Sequence, residues 1–368
     1  MKILVISQHL FPMQTPRAHR TTELIKELSI RGHSVTLFAV LGSYDYSSFS
    51  KKYDIKIKPI SIYYQSKPYN SDGFKKRHII DKILGRLMGK IFEFPNIEFK
   101  TRIPEIFKDE NKIDTLISIS DPHHIHWGCA KAKIKYPKNF PKTWIADCGD
   151  PFMENGKTKD HFRYYSKYEK KFCSLCDYIT VPVNQAKLAY YKDFHHKIKV
   201  IPQGFKFKLN DKVSNPSNDV VTFLFAGTFV PRIRNPQLFF EYLCSIPIQF
   251  KFYIFTPYTN LIDKYIEPLK DKIEVKDFIP RNDLMSFIKK MDFVINFENS
   301  NAESQLPSKL IDYAISKKPI LSVNCDNKDF QKTNEFLNRN YSKRLQIKNV
   351  EKYHIKNVVD QFLSLCHL

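Results

Sequence analysis

The chain has 368 residues, 42% of them hydrophobic, which is enough for two domains of ordinary size, each with its own core. Its formal net charge of +21 indicates an acidic partner: nucleic acid, an anionic membrane or a phosphorylated substrate. The seven cysteines do not follow the pattern of a disulfide framework, and the CxxC at residues 173–176 has no second pair. The apolar runs have the length of strands, and the N-terminus lacks the pattern of a signal peptide. We therefore expect a cytoplasmic protein without a transmembrane segment.

Strand-like apolar runs alternate with amphipathic helical segments along the chain, which predicts an α/β fold of parallel sheets with helices on both faces. The pattern restarts near residue 220, after a polar stretch that contains a proline. We therefore predict two doubly wound domains, residues 1–210 and 219–349, and a final helix at 350–368. The predicted strands are residues 2–7, 35–40, 115–119, 144–146, 178–181, 199–201, 221–226, 250–255, 272–275, 293–295 and 320–323.

The first helix follows a loop with Pro12 and Pro16 and ends at Gly32, a residue suited to the C-terminal cap position. Arg20 on this helix has two interpretations. It can contact a phosphate of a ligand, or it can be an ordinary arginine on a solvated helix face.

A polar loop with three histidines, SISDPHHIH at residues 118–126, follows a predicted strand. Ligands of doubly wound sheets bind at the carboxyl ends of strands, so His123, His124 or His126 can meet a substrate there. Alternatively, at least two of them are plain loop or helix residues. Their spacing does not match a familiar zinc-ligand set, and we predict no metal.

Two carboxylates end the next strand, in WIADCGDPF at residues 144–152. Asp147 and Asp150 are three residues apart and can bind substrate hydroxyls or act as a general base. Asp150 can equally well cap the helix that follows.

The stretch FAGTFVPRIRNP, residues 225–236, joins a strand to a helix that Asn235 and Pro236 are expected to open. Gly227 lets the backbone approach a ligand closely. Arg232 and Arg234 can neutralise a diphosphate.

Residues 303–320, ESQLPSKLIDYAISKKPI, contain the start of a further predicted helix. Ser308 and Lys309 stand at the N-terminus of this helix, where unpaired N–H groups and the helix dipole attract a diphosphate. Asp312 lies farther along the helix, where it can accept hydrogen bonds from ribose hydroxyls. The two stretches together predict a site for a nucleotide sugar.

In combination, these motifs resemble the family 4 glycosyltransferases of the GT-B architecture, over residues 1 to about 325. The family's second conserved glutamate is replaced by Asp312, its first falls at Ser304, and its loop glycine pair is replaced by residues 13–15. The resemblance implies two Rossmann-like domains that face each other across a cleft, with a C-terminal helix that crosses back to the first domain.

The resemblance also implies an activity: retaining transfer of a hexosyl or N-acetylhexosaminyl group from a UDP- or GDP-sugar. The acceptor would be a glycan or polyprenyl-linked molecule in bacterial surface-polysaccharide synthesis, and no divalent metal or cofactor is expected. The implied roles are catalytic for Asp150 and His124; donor-binding for Gly227, Arg232, Arg234, Ser308, Lys309 and Asp312; and acceptor-side for Arg20, Asp147, His123 and His126.

Residues 74–92, FKKRHIIDKILGRLMGKIF, combine an apolar stripe at helical spacing with six basic residues. This pattern suits the surface of an anionic membrane, but also a helix packed on the first domain with a solvated basic face. Two other functions stay open. A GT-B-fold sugar-nucleotide epimerase would need no acceptor features such as residues 147–152. A nucleic-acid-binding protein would explain the charge, but no corresponding motif is present, so we expect no nucleic-acid partner.

Overall fold

The computed structural model describes residues 1–13, 15–62, 89, 91–110, 112–149, 151–157, 161–207, 218–298 and 308–366. The chain divides into two compact units: unit 1 is Met1–Lys206 together with Lys352–Leu368, and unit 2 is Phe207–Glu351. Within the described residues, no helix combines the length and the apolar character needed to cross a bilayer.

The elements alternate along the chain as the hydrophobic pattern indicates. The strands are β1 (Lys2–Ser7), β2 (Ser34–Ala39), β3 (Ile55–Pro59), β4 (Thr115–Ile119), β5 (Thr143–Asp147), β6 (Tyr178–Val181), β7 (Ile198–Val200), β8 (Val221–Ala226), β9 (Phe250–Phe255), β10 (Ile273–Lys276), β11 (Phe293–Phe297) and β12 (Ile320–Val323). The α-helices are α1 (Pro16–Ile30), α2 (Ser47–Tyr53), α3 (Phe99–Asp109), α4 (His124–Lys135), α5 (Ser166–Leu175), α6 (Gln237–Ser245), α7 (Asp263–Ile266), α8 (Arg281–Ile288), α9 (Ser308–Ser316), α10 (Gln331–Leu337) and α11 (Ile355–Leu363).

Unit 1 contains a seven-stranded sheet in the order β3-β2-β1-β4-β5-β6-β7, in which all neighbouring strands are parallel. Alternate residues of β1 belong to two core clusters: Leu4 and Ile6 to one, Ile3 and Val5 to the other. Since successive side chains of a strand point to opposite faces, both faces of this sheet are covered. That burial is why β1 reads as a continuous apolar run.

Unit 2 contains a five-stranded parallel sheet in the order β10-β9-β8-β11-β12. Phe223 and Phe225 of β8 pack in one core cluster, and Leu224 and Ala226 pack in another. Aromatic rings fill the first cluster, in which Phe223 stacks on both neighbouring strands, against Phe252 and Phe293.

In both sheets the strand order reverses beside the first strand of the unit. The reversal lies between β1 and β4 in unit 1 and between β8 and β11 in unit 2. At such a point the loops at the carboxyl ends of adjacent strands diverge to opposite faces and leave a crevice where ligands bind. These two strand ends are therefore the first places to look for a site.

The final helix belongs to unit 1. Helix α11 begins at Ile355, after a short 3₁₀ segment at Val350–Tyr353, and packs against α1. Its residues Val358, Val359 and Phe362 join the core cluster that contains Ile3 and Val5. Gly204 allows this close packing, since a Cβ there would lie 2.6 Å from Cδ1 of Ile355.

The strands were predicted accurately except for one at the edge of the unit 1 sheet. Every predicted strand is present, with ends that differ by two residues or fewer. Strand β3, IKIKP, in which lysines alternate with isoleucines, was not predicted. The pattern is that of a strand at the sheet edge with one exposed face, and β3 pairs only with β2.

Candidate functional site

Arg20 and Asp147 form a buried ion pair in unit 1. Arg20 donates from Nε to Oδ2 of Asp147 at 3.0 Å and from Nη2 to Oδ1 at 2.7 Å. It also donates to the carbonyl oxygens of Ile201 and Pro202, and its guanidinium lies over the ring of Phe362. Arg20 therefore joins α1, the end of β5, the segment after β7 and α11.

The carboxylate of Asp147 is fully engaged. Thr180 donates to its Oδ1 at 2.6 Å, and Nη1 of Arg17 lies 3.6 Å from its Oδ2. Burial acts to raise the pKa of Asp147, but the charges and hydrogen bonds of Arg20, with Arg17 and Thr180, outweigh it and lower the pKa. Both members of the Arg20–Asp147 pair are almost inaccessible, at 4% and 1% exposure, so an acceptor-side contact from either needs a local rearrangement.

Accessible polar groups at the β1–β4 strand ends come from residues that the sequence analysis did not select. The Arg17 side chain is 20% exposed, and its guanidinium occupies the space where a Cβ of residue 149 would stand, which only glycine permits. His9 follows β1, and Asp121, exposed, follows β4. Burial and the charge of Arg17 lower the pKa of His9, while Asp121 opposes them. His9 and Asp121 each lie two residues past the end of a strand, and this position is the sequence signal that could have identified them.

The three predicted histidines are buried at the start of α4. His124 is 1% exposed and packs against the ring of Trp127 at 4.0 Å. Burial, with the nearby His123 and other cations, lowers the pKa of His124 to about 3, so it is neutral at physiological pH. Neither of its ring nitrogens has a hydrogen-bond partner among the described residues. A neutral imidazole of this kind can hydrogen-bond a substrate hydroxyl only if the loop before it opens.

His126 belongs to a buried polar cluster with His123 and Cys148. The ligand atoms of these three side chains lie within 4.8 Å of one another. Burial moves the pKa of His126 well below, and that of the Cys148 thiol well above, the ordinary value. Sequence spacing did not reveal this cluster, because Cys148 comes from the neighbouring strand end.

Asp150, assigned as a catalytic residue from the sequence, lies outside the described residues. The same holds for most of the basic segment at residues 74–92. The side chain of Ser308 is also outside them, although the backbone of Ser308 begins α9.

In unit 2, a tight hairpin positions Arg234 at the β8 end of the crevice. Backbone hydrogen bonds join Val230 and Arg234 in both directions, at 2.7 and 3.2 Å. The hairpin turns the chain back, so that Arg234 is half-buried and donates to the carbonyl oxygen of Thr228 at 3.2 Å, while Arg232 at the tip is exposed. A Cβ at Gly227 would lie 3.5 Å from Nη1 of Arg234. Burial lowers the pKa of Arg234, against opposing effects of Cys325 and Tyr313, yet a guanidinium remains protonated at neutral pH.

Helix α9 is fastened to the same strand end by a buried tyrosine. The backbone N–H of Ala226, the last residue of β8, donates to the hydroxyl oxygen of Tyr313 at 2.8 Å. Tyr313 is 1% exposed and follows Asp312 directly. The helix that carries Lys309 and the loop that carries Gly227 and Arg234 are thereby held at one edge of one sheet.

Asp312 is paired with two cations. Arg281, at the start of α8, donates from Nε to Oδ1 of Asp312 at 2.7 Å, and Nζ of Lys309 lies 3.6 Å from Oδ2. The Asp312 side chain is 4% exposed, whereas those of Arg281 and Lys309 are 19% and 35% exposed. A ribose hydroxyl that bound Asp312 would therefore compete with Arg281, a residue that the sequence analysis did not select.

A cavity of about 600 Å³ lies in unit 2 between the loops that follow β8 and β9. Thr228, the partner of Arg234, lines it on one side, and Tyr258 lines it on the other. Tyr258 is 65% exposed. An exposed aromatic ring on a cavity wall offers a flat apolar face for a planar ligand group.

No family model matches the chain. No curated protein sequence matches it either. Many solved structures do, over almost the whole chain. A glycosyltransferase from Rickettsia africae ESF-5 aligns with a TM-score of 0.67 at 14% identity, over 99% of this chain and 97% of that one. The chain has the GT-B fold.

Two further structures share this fold at similar distance. The apo form of WaaB, a lipopolysaccharide outer core galactosyltransferase, aligns with a TM-score of 0.58 at 14% identity, over 99% of each chain. A variant of S. aureus TarM in complex with fondaparinux, α-GlcNAc-glycerol and UDP aligns with a TM-score of 0.55 at 11% identity, over 100% of each chain. At such identities the likeness establishes the fold alone, and the two Rossmann-like units are the part of the family resemblance that it confirms.

Proposed function

We propose that the protein is a glycosyltransferase that uses a nucleotide-sugar donor. One observation carries the proposal: Arg234 and the helix of Lys309 are held, by the 230–234 hairpin and by Tyr313, at the strand end where a doubly wound sheet binds its ligand. Two cations and a glycine at that position suit a diphosphate.

The donor is held in unit 2. Arg234 and Lys309 bind the diphosphate and stabilise the charge that develops on the nucleoside diphosphate as it leaves, a role that needs no divalent metal here. The cavity beside Tyr258 accepts the base, and the UDP in the S. aureus TarM complex favours uridine diphosphate as the first choice, with guanosine diphosphate as the alternative. Asp312 orients Arg281 and Lys309, and it contacts the ribose in exchange for its hydrogen bond from Arg281.

The acceptor is a glycan or a polyprenyl-linked glycan, and transfer retains the anomeric configuration. WaaB, which has the same fold, is a galactosyltransferase of the lipopolysaccharide outer core, in keeping with an acceptor of this class. Asp150 and His124 are proposed to act on the transferred sugar and the acceptor hydroxyl. His9, Arg17 and Asp121 add the accessible polar groups of unit 1 to the acceptor side.

The basic segment at residues 74–92 is proposed to dock the enzyme on the inner face of an anionic membrane, where a lipid-linked acceptor would lie. Co-sedimentation with vesicles that contain anionic lipid tests this. Binding that survives the replacement of Lys75, Lys76 and Arg77 by glutamate would contradict it.

The experiment that tests the donor proposal is a thermal-shift screen of the full chain against UDP, GDP, ADP, CMP and their sugar conjugates. A ligand that binds only the folded state stabilises it, by about 2.7 kcal/mol at a ligand concentration a hundred times its Kd, and therefore raises Tm. We expect one diphosphate and its sugar conjugate to raise Tm saturably. If none of these nucleotides changes Tm, the proposed donor site is wrong.

A second prediction concerns catalysis. Asp150→Asn should lower kcat strongly and leave donor affinity unchanged, because the change removes a base but no donor contact. Turnover with the donor found in the screen, measured together with donor Kd, checks this. An unchanged kcat would show that Asp150 has no catalytic role.

A further inference from the structure

His123, His126 and Cys148 lie together in the interior of unit 1. Their exposures are 5%, 0% and 1%, and their ligand atoms lie within 4.8 Å of one another. The acceptor-side role suggested for His123 and His126 does not account for a thiol in the same enclosed position.

The fold brings these residues together through the register of two strands. β4 and β5 are paired so that Ile119 lies beside Asp147. Cys148 follows β5 directly, and His126 lies in the first turn of α4, after β4. A backbone hydrogen bond from Ser120 to the carbonyl oxygen of Asp147, at 3.0 Å, holds the two strand ends side by side.

The surroundings of His126 suit a metal ligand. Its Nδ1 lies 2.8 Å from Oγ of Ser118, and its Nε2 points at Sγ of Cys148, 3.4 Å away. Trp144 donates to Oγ of Ser118 at 2.8 Å, and that oxygen can accept a second hydrogen bond, from Nδ1–H of His126. In this tautomer Nε2 presents a lone pair beside the thiol, and Ser118 is the outer partner that ligating histidines usually have.

A buried carboxylate adjoins the cluster. Glu169 is 0% exposed and accepts a hydrogen bond from the backbone of Met153 at Oε1, while its Oε2 has no hydrogen-bond partner among the described residues. The same helix, α5, carries Phe172, whose ring lies 5.0 Å from that of His126.

We propose that His123, His126 and Cys148 bind a transition-metal ion, with Zn²⁺ as the expected occupant. Nitrogen and thiolate ligands select zinc over magnesium or calcium. Binding forms a Zn–S bond and releases the thiol proton to solvent. Zinc lies about 2.0–2.1 Å from nitrogen and about 2.3 Å from sulfur ligands, so a single ion placed between these three atoms can contact all of them after a small local adjustment. The ion is structural: it holds the 118–126 loop to the end of β5 at Cys148 and takes no part in donor binding by unit 2.

The test uses full-length protein, without a histidine tag, expressed in medium supplemented with zinc. Metal content after passage over a chelating resin is measured for the wild type, Cys148→Ser and the control Cys244→Ser, which changes an exposed cysteine of unit 2. We expect about one zinc per chain in the wild type and the control, and loss of most of it in Cys148→Ser. A wild type without stoichiometric metal would overturn the proposal.

Cobalt replacement identifies the ligands. Co²⁺ added to metal-free protein should give a thiolate-to-cobalt charge-transfer absorption in the wild type and in Cys244→Ser, and none in Cys148→Ser. His123→Asn provides a second variant in case Cys148→Ser does not fold, and should weaken Co²⁺ affinity by about tenfold or more. Equal Co²⁺ absorption and affinity in every variant would show that the ion binds elsewhere and overturn the assignment.

Discussion

Two arginines, three residues apart on α1, have opposite environments. Arg20 is 4% exposed and fully engaged in unit 1, whereas the Arg17 side chain is 20% exposed and lies against Gly149. The sequence predicts that an arginine of α1 can meet a ligand, but only the tertiary structure shows which face each one occupies. The buried arginine organises the strand end, and the accessible one is the better candidate for a ligand contact.

Arg20→Ala should destabilise the protein by about 3 kcal/mol, because it leaves the buried carboxylate of Asp147 with the hydroxyl of Thr180 and only the longer contact to Arg17 as its remaining charge partner. The free energy of unfolding in urea measures this. Arg102→Ala, an exposed arginine of α3, is the matched control and should change stability by less than about 0.5 kcal/mol. Equal effects of the two substitutions would show that the Arg20–Asp147 pair contributes no stability.

The same pair predicts how stability depends on pH. The pKa of Asp147 is lower in the folded protein than in the unfolded chain, so its contribution is present above the unfolded pKa, about 4, and is lost as pH falls below it. The difference in unfolding free energy between wild type and Asp147→Asn should therefore be constant from about pH 7 to 5 and shrink below about pH 4. A difference independent of pH would contradict this assignment.

Residue types in unit 2 are predictable from the sequence, but their accessibility is not. The stretch at 225–236 indicates two basic residues before a helix, and Arg232 and Arg234 look equivalent in it. The hairpin of Val230 and Arg234 separates them, because it turns one inward and leaves the other at the tip. Arg281 was missed for a similar reason: its contact with Asp312 joins α8 to α9, and nothing in the local sequence indicates that contact.

At the scale of elements, α3 and α4 pack unusually closely in unit 1. A Cβ at Gly128 of α4 would lie 2.6 Å from the carbonyl oxygen of Phe99 and 2.8 Å from Cβ of Ile103. The backbone oxygen cannot move without shifting the start of α3. The glycine is therefore required by the helix contact, not by the local conformation of α4.

Gly128→Ala should destabilise the protein by about 2 kcal/mol through overpacking. A loss of stability would be informative, because replacing glycine by alanine within a helix normally stabilises a protein by up to about 1 kcal/mol. Lys131→Ala, at an exposed position of the same helix, serves as the control. Thermal unfolding of both variants checks the prediction, and an unchanged or higher Tm for Gly128→Ala would contradict the close helix contact.

Helix boundaries show which local signals are sufficient. Thr15 caps α1 through a hydrogen bond from the N–H of Ala18, and Pro16, which was expected in the preceding loop, is the first helical residue. Gly32 takes a positive φ of 82° after the helix, as its place in the sequence predicts. The start of α6 differs. The helix begins at Gln237 as predicted, but Pro236 rather than Asn235 holds the N-cap position, and Asn235 accepts from the N–H of Gln237 at 3.2 Å.

At the scale of the whole molecule, the α/β class was predictable, because strands that are buried on both faces have continuous apolar sequences. The edge strand β3 was not recognised, because exposed lysines interrupt its apolar residues. The GT-B fold was indicated by motif resemblance and is shown by structural likeness over almost the full chain. The buried cluster of His123, His126 and Cys148 could not be predicted, because it depends on strand register rather than on sequence spacing.

The central claim is that unit 2 binds a nucleoside diphosphate at the carboxyl end of β8. Isothermal titration calorimetry with the best nucleotide of the screen, on wild type, Arg234→Ala and Lys309→Ala, tests it most directly. Lys270→Ala, a 63% exposed lysine of unit 2, controls for the loss of one positive charge. We predict a single site in the wild type, a Kd about tenfold or more weaker in the first two variants, and no change in the control. Equal affinity in all four proteins would contradict the claim.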